Sequence, residues 1–135
     1  MSLVDRILEI PEVNPRRIVL PYPPSLNTYW RRVGSKVLIS EKGREYTRSV
    51  ALILITRNVK RLIGHLGVAI KAYMPDKRQR DVDNIQKVPI DAMEKAGLYD
   101  NDNQIKFIAV EASGVKRPRG EIIVYIWELE PERLE

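Results

Sequence analysis

The chain has 135 residues, 44% of them hydrophobic and 30% charged, which is enough for one domain with a self-supporting core. Its net charge of +5 points to a polyanionic partner, nucleic acid rather than an anionic membrane, because no basic amphipathic helix or lipidation signal stands out. With no cysteine and one histidine, His65, disulfides, thiolate nucleophiles and cysteine-zinc sites are excluded, and a histidine-based site would rest on one loop residue.

Residues 1–13, "MSLVDRILEIPEV", hold an acid at position 5 and no long apolar run. They read as a short amphipathic turn forming an N-terminal extension, not a signal peptide. No stretch approaches the roughly 20 apolar residues of a membrane span. The expectation is a cytoplasmic protein with no membrane contact and no small-molecule cofactor.

"RRIVLPY" (16–22) predicts a strand ended by the prolines of "PYPPS". "NTYWRRVGSKVLIS" predicts a hairpin turning at Gly34-Ser35. Ser40 suits a helix N-cap with Glu41 in the first turn. The helix is expected over about 41–61, with Tyr46, Val50, Ile53 and Leu54 along one face. "LGVAIKAYM" (66–74) reads as a strand closed by Pro75. After a charged loop, Asp83 or Asn84 can cap a second helix reaching Ala96, with Gly97 just past its end. Pro89 inside that helix should kink or split it. "QIKFIAVEAS" (104–113) and "EIIVYIWEL" (121–129) are strands joined by "GVKRPRG", and Ile122, Val124 and Ile126 can share a face. The order β, ββ, α, β, α, β, β predicts a single α+β domain over residues 14–130, a mixed or mostly antiparallel sheet carrying two main helices, followed by a short tail at 131–135.

Chemistry concentrates in "RDVDNIQKVPIDAMEKAGLYDNDNQ" (80–104). From residue 81 on, six acids face only Lys87 and Lys95, a net of −4 in a chain whose total is +5. Asp81 and Asp83, two residues apart where a loop enters a helix, share a side if the segment is extended. A third carboxylate from "DND" (100–102) can join them if the chain folds back. Clustered carboxylates raise one another's pKa unless a cation neutralises them, and oxygen-only ligands suit Mg²⁺, or Mn²⁺ as a substitute. Asp83, Lys87 and Asp91 follow at helical spacing. They form either a surface ion-pair ladder or, for Lys87, an ammonium poised at a phosphate. Asp100-x-Asp102 with Glu111 imitates a calcium-binding loop, but Ile105 stands where that loop needs glycine.

Around the acids lie "DKRQR" (76–80) and "VKRPRG" (115–120), offering Lys77, Arg78, Arg80, Lys116 and Arg117 to a phosphate backbone. Loop charges of this kind are otherwise simply solvated. "NTYWRR" (27–32) adds Tyr29, Trp30, Arg31 and Arg32, suited to stacking and phosphate contact, although Trp30 fits a core equally well.

"MPDKRQRDVDNIQKVPIDAMEKAGLYDNDNQI" (74–105) closely resembles the signature of the RusA family of Holliday junction resolvases, and "LPYPPSLNTYWR" (20–31) resembles that family's N-terminal motif. The resemblance covers roughly residues 16–129. It implies three essential carboxylates at Asp81, Asp83 and Asp102 and a functional lysine at Lys87. Asn84 and Asp91 match recurrent positions without so clear a role. Two departures stand out: Asn101-Asp102, with an extra Asp100, replaces two adjacent acids, and Pro89 interrupts the usual helix. The resemblance further implies a Mg²⁺-dependent endodeoxyribonuclease acting as a homodimer on four-way DNA junctions, by paired symmetric nicks, in recombination and repair and often on phages or prophages. A metal nuclease of other specificity, a non-catalytic junction-binding protein and a basic protein with solvated acidic loops are the alternatives.

Overall fold

A computed structural model describes residues 1–130; the tail expected at 131–135 lies outside them. Six strands and four helices follow one another as α1 (Leu3–Leu8), β1 (Arg16–Pro21), α2 (Leu26–Tyr29), β2 (Trp30–Val33), β3 (Lys36–Ile39), α3 (Glu41–Thr56), β4 (Leu66–Met74), α4 (Lys87–Lys95), β5 (Ile105–Val115) and β6 (Glu121–Glu128). The main sheet has the order β1-β6-β4-β5, antiparallel except for the parallel β4–β5 pair. A separate two-stranded sheet consists of β2 and β3. The fold is the α+β domain with a mixed sheet that the order of elements predicts.

β4 runs between β6 and β5 and is buried almost throughout, as suits its largely apolar sequence, in which Lys71 is the one charged residue. β6 alternates as expected. Ile122, Val124 and Ile126 face a large core shared with Val50 and Leu54 of α3 and Val88, Ala92 and Met93 of α4. Trp127 turns to the opposite face, where Ala69 and the α1 residue Val4 meet it in a smaller core. The first 13 residues therefore cover one side of the sheet. Ser2 and Asp5 close a capping box on α1, and Asp5 pairs with Lys71 of β4.

Two helices differ from their predicted extents. α3 stops at Thr56 rather than near 61, because Asn58 takes a left-handed conformation (φ 52°) and Val59 N–H returns to the Leu54 carbonyl. This is the termination a glycine more commonly makes. The second helix does not begin at Asp83 or Asn84. Residues Val82–Asn84 form one 3₁₀ turn, and α4 starts at Lys87. That start places Pro89 in the first helical turn, where a missing N–H costs nothing. The proline thus splits the expected helix in two. Gly97, with φ 89°, closes α4 as predicted.

The segment before the hairpin also differs. Ser25 accepts a hydrogen bond from Thr28 N–H and caps the single turn of α2, so Asn27–Tyr29 are helical and only Trp30 onward is strand.

Candidate active site

The chain from 76 to 104 wraps the carboxyl end of β4 and both ends of α4. Its cationic loop is organised by Asp76, a residue that nothing but its place in the motif singles out before the fold is known. The Asp76 carboxylate accepts the backbone N–H of Arg78 at 2.9 Å and the Arg80 guanidinium at 2.8 Å, and reaches Arg78 Nε at 3.3 Å. These bonds, Arg80's first, hold its carboxyl well below the usual carboxylate range. Arg80 also lies over the Tyr22 ring, 5.9 Å from its centroid. Its side chain is only 19% exposed, so it braces the loop more than it faces solvent. Arg78 is 80% exposed, and Lys77 is exposed.

Immediately beyond, Asp81 precedes the 3₁₀ turn and Asp83 lies within it; both are exposed. The turn replaces the extended geometry expected for Asp81-Val82-Asp83. Asp81 and Asn84 line an open cleft of about 590 Å³ with Arg78, Arg80 and the proline-rich segment Tyr22–Asn27. A second cleft, about 420 Å³, is lined by Lys87, Asp91 and Asp102 together with Leu26, Trp30 and Ile105. Leu26 borders both. Asp83 stands on the exposed turn linking Asp81 to Asn84.

The expected ladder Asp83–Lys87–Asp91 is absent. Asp91 instead receives Lys95 Nζ at 2.6 Å and the Tyr29 hydroxyl. Lys87 is exposed and has no ion pair among the described residues. Tyr29, read from the sequence as a stacking surface, has no solvent exposure. Burial and its bond to Asp91 push its phenol well above the ordinary value. Trp30 packs edge-on against it, 5.0 Å between ring centroids, and carries Lys95 4.9 Å above its own ring.

The loop bearing Asp100 and Asp102 is held by two residues that spacing did not reveal. Glu94, near the end of α4, accepts the Asp102 N–H at 2.6 Å. Gln104 accepts the N–H groups of Asp100 and Asn101 at 2.9 and 3.1 Å and donates to the Gly64 carbonyl at 2.9 Å. Asp100 pairs with Arg61, whereas Asp102 opens on the cleft with Lys87.

Asp81, Asp83 and Asp102 offer only carboxylate oxygens, the donor chemistry of a hard divalent cation. Among the described residues no group of three His, Cys, Asp or Glu side chains stands close enough to hold a metal by itself. Magnesium commonly takes one or two carboxylates and completes its shell with water and substrate phosphate, so these donors suit it in kind.

Among the remaining candidates, Arg31 and Arg32 extend along β2 and are exposed. Lys116 pairs with Glu121, and Arg117 is exposed in the β5–β6 turn. No helix among the described residues is long and apolar enough to cross a membrane.

Comparison with known proteins supplies the remaining constraint. A family model described as "Endodeoxyribonuclease RusA" matches residues 21–125. A crossover junction endodeoxyribonuclease of Enterobacteria phage HK97 is 45% identical over 121 residues, spanning 87% of this chain and 98% of the phage protein. Proteins of the same name from Escherichia coli strain K12 and Enterobacteria phage 82 are each 38% identical, over 69% of this chain and 78% of theirs.

Proposed function

Because the chain belongs to the endodeoxyribonuclease RusA family, we propose that it is a Mg²⁺-dependent endonuclease that resolves four-way DNA junctions by paired, symmetric nicks. The observation carrying this reading is the near-complete overlap with the crossover junction endodeoxyribonuclease of phage HK97, 98% of whose length is matched. The place of action is the cytoplasm, where such DNA lies. A symmetric junction needs two cuts, and a two-fold homodimer supplies two equivalent sites.

Asp81, Asp83 and Asp102 are the carboxylates that would hold the metal, one or two of them at a time with water and substrate phosphate completing the shell, and Mn²⁺ would serve as a substitute. Asp100 is the less suited third ligand, since Arg61 engages it. When bound, the ion stabilises charge on the phosphate oxygens and makes a nearby water more acidic. A water gives up a proton to solvent as its oxygen bonds to phosphorus, the bond from phosphorus to the leaving strand oxygen breaks, and that oxygen leaves with the electron pair and takes a proton from solvent. Lys87 places an ammonium with no ion pair among the described residues at the cleft that Asp102 lines, where it stabilises charge developing on the phosphate. Lys77 and Arg78 hold the backbone beside Asp81, with Arg117 and Lys116 as outer contacts. Arg80 acts through Asp76 by keeping this loop in place.

The test is cleavage of a labelled synthetic four-way junction beside linear duplex, in Mg²⁺ and in EDTA. Metal-dependent symmetric nicks on the junction alone are expected. Equal cutting of flaps or single strands would make it a nuclease of other specificity. Binding without cutting in Mg²⁺ and Mn²⁺ alike would leave a junction-binding protein.

A further inference from the structure

The β2–β3 hairpin stands apart from the main sheet and, among the described residues, pairs only with itself. Isolated two-stranded hairpins are marginal in water, so its hold must come from its base. There Trp30 packs on Tyr29, Ser40 N–H donates to the Tyr29 carbonyl at 2.8 Å, and Arg44 donates to the Ile39 carbonyl at 2.9 Å. Beyond this base every residue from 31 to 38 is exposed.

The exposed part has an unusual surface. Its cross-strand pairs are Arg31–Leu38, Arg32–Val37 and Val33–Lys36, each a cation opposite an aliphatic side chain. Val33, Val37 and Leu38 are 44%, 56% and 44% exposed. Arg31, Arg32 and Lys36 have no ion pair among the described residues. From Val13 to Ser40 the chain holds no acidic residue at all. Leu26 and Trp30 line both the cleft of Lys87, Asp91 and Asp102 and the adjoining cleft of Arg31, Arg32 and Val37. The hairpin therefore rises beside the proposed site of cutting.

Phosphate contact alone would need the cations and not the aliphatic groups. By strand alternation Val33 and Leu38 share one face of the hairpin and Val37 takes the other. Exposed apolar side chains on both faces suit an element inserted into a partner. A second copy of this hairpin is disfavoured because docking would bring together six cations that have no ion pair among the described residues. A polyanion with exposed apolar faces satisfies both halves of the surface. Intact duplex hides its base faces in the stack, whereas a branch point frees them. Apolar side chains inserted at base steps are a general means of unstacking DNA.

We propose that the hairpin is a branch-point wedge: Arg31, Arg32 and Lys36 seat it on the backbone while Val33, Val37 and Leu38 contact bases unstacked at the crossover. This rests on the reading of branched DNA as substrate and adds the element that opens the branch.

The test places 2-aminopurine at the crossover of a synthetic four-way junction and follows its fluorescence on binding in EDTA, where no cutting intervenes. The full chain should raise the signal on the junction and leave it unchanged on linear duplex. Val37→Ser combined with Leu38→Ser should abolish most of that rise and slow junction cleavage about tenfold, with affinity for linear duplex unchanged. Val33→Ser, a milder change at the same tip, should give a partial loss. A full fluorescence rise with the double variant, or none with the unaltered chain, overturns the wedge. A variant that sediments as a smaller species than the unaltered chain would assign the patch to a second copy and likewise overturn it. Unstacking without any cutting in Mg²⁺ or Mn²⁺ would sink the resolvase reading while leaving the wedge standing.

Discussion

The hydroxyl of Tyr29 donates to the carboxylate of Asp91, joining two residues 62 positions apart. This bond ties the proline-rich N-terminal motif to α4, and with it the base of the hairpin to the helix that carries Lys87. Lys95 shares the same carboxylate at 2.6 Å, so the two partners are not equally replaceable. Tyr29→Phe leaves Asp91 with Lys95 and should cost about 1 kcal/mol of stability. Asp91→Ala leaves a buried phenol whose remaining neighbour is Thr47 at 3.4 Å, and should cost about 1–3 kcal/mol. Urea unfolding of both and of the double variant should give a combined loss smaller than the sum. Strict additivity would mean that the bond contributes nothing.

Buried tyrosines should contribute to the alkaline limit. Burial raises the phenols of Tyr29, Tyr46 and Tyr99 above their ordinary 10.0. Tyr46 and Tyr99 donate to the Pro21 and Ile90 carbonyls at 2.8 and 2.6 Å. A raised folded pKa means that the folded chain keeps protons the unfolded chain has released. Their contribution is therefore complete below pH 10.0 and is lost as pH rises beyond it. Unfolding free energy should hold level through neutral pH and fall above about pH 10. Tyr46→Phe should make that fall shallower. An unaltered slope in the variant would show that Tyr46 is not one of the groups responsible.

The strands were legible because their signals are local and strong. β4 has the predicted limits 66–74, bounded by Gly64-His65 and Pro75, with an apolar run that only a central strand needs. The helix ends were not. Asn58 terminates α3 in a conformation that glycine usually signals, and Pro89 shifted the start of α4 to a position where its missing N–H is harmless. In the site, the candidate residues were visible as types and spacings, but their wiring was not. Asp91 takes Lys95 and Tyr29 rather than Lys87, and Gln104 reaches back 40 residues to Gly64. Such long-range partners leave no periodicity in the sequence.

Residues 1–13 supply a further test. Val4, 2% exposed, meets Ala69 and Trp127 on the face of the sheet that α3 and α4 leave uncovered. Removing residues 1–13 should expose that face, lower the melting temperature by several degrees and increase binding of an apolar dye, since burying a valine side chain alone contributes about 1.5–3 kcal/mol. Val4→Asp should reproduce the effect by burying an unpaired charge. A truncated chain as stable as the full one would mean that α1 adds no net stability.

Gln104 should behave as a positioning residue for Asp102. Its three hydrogen bonds fix the loop without reaching the clefts themselves. Gln104→Ala should lower kcat for junction cleavage by about 10–100-fold, with KM and junction affinity nearly unchanged, because misplacement of about 1 Å is enough for such a loss. Glu94→Gln retains an acceptor for the Asp102 N–H and should preserve most activity, whereas Glu94→Ala should not. A rise in KM at constant kcat would place Gln104 in substrate binding instead.

Asp81 and Asp83 pose the sharpest separation between chemistry and fold. Both are exposed, and no side-chain hydrogen bond caps the 3₁₀ turn that Asp81 precedes and Asp83 lies in, so neutralising them should change stability by no more than about 0.5 kcal/mol. On the DNA, however, each removes a negative charge from a path lined by phosphates. Asp81→Asn and Asp83→Asn should therefore abolish cleavage while junction binding is kept or tightened, with the gain largest at low salt. Titrating binding at several salt concentrations beside a cleavage assay separates the cases. Binding lost in step with cleavage would mean that these carboxylates shape the turn, and the third acid, Asp102, would then have to hold the metal without them.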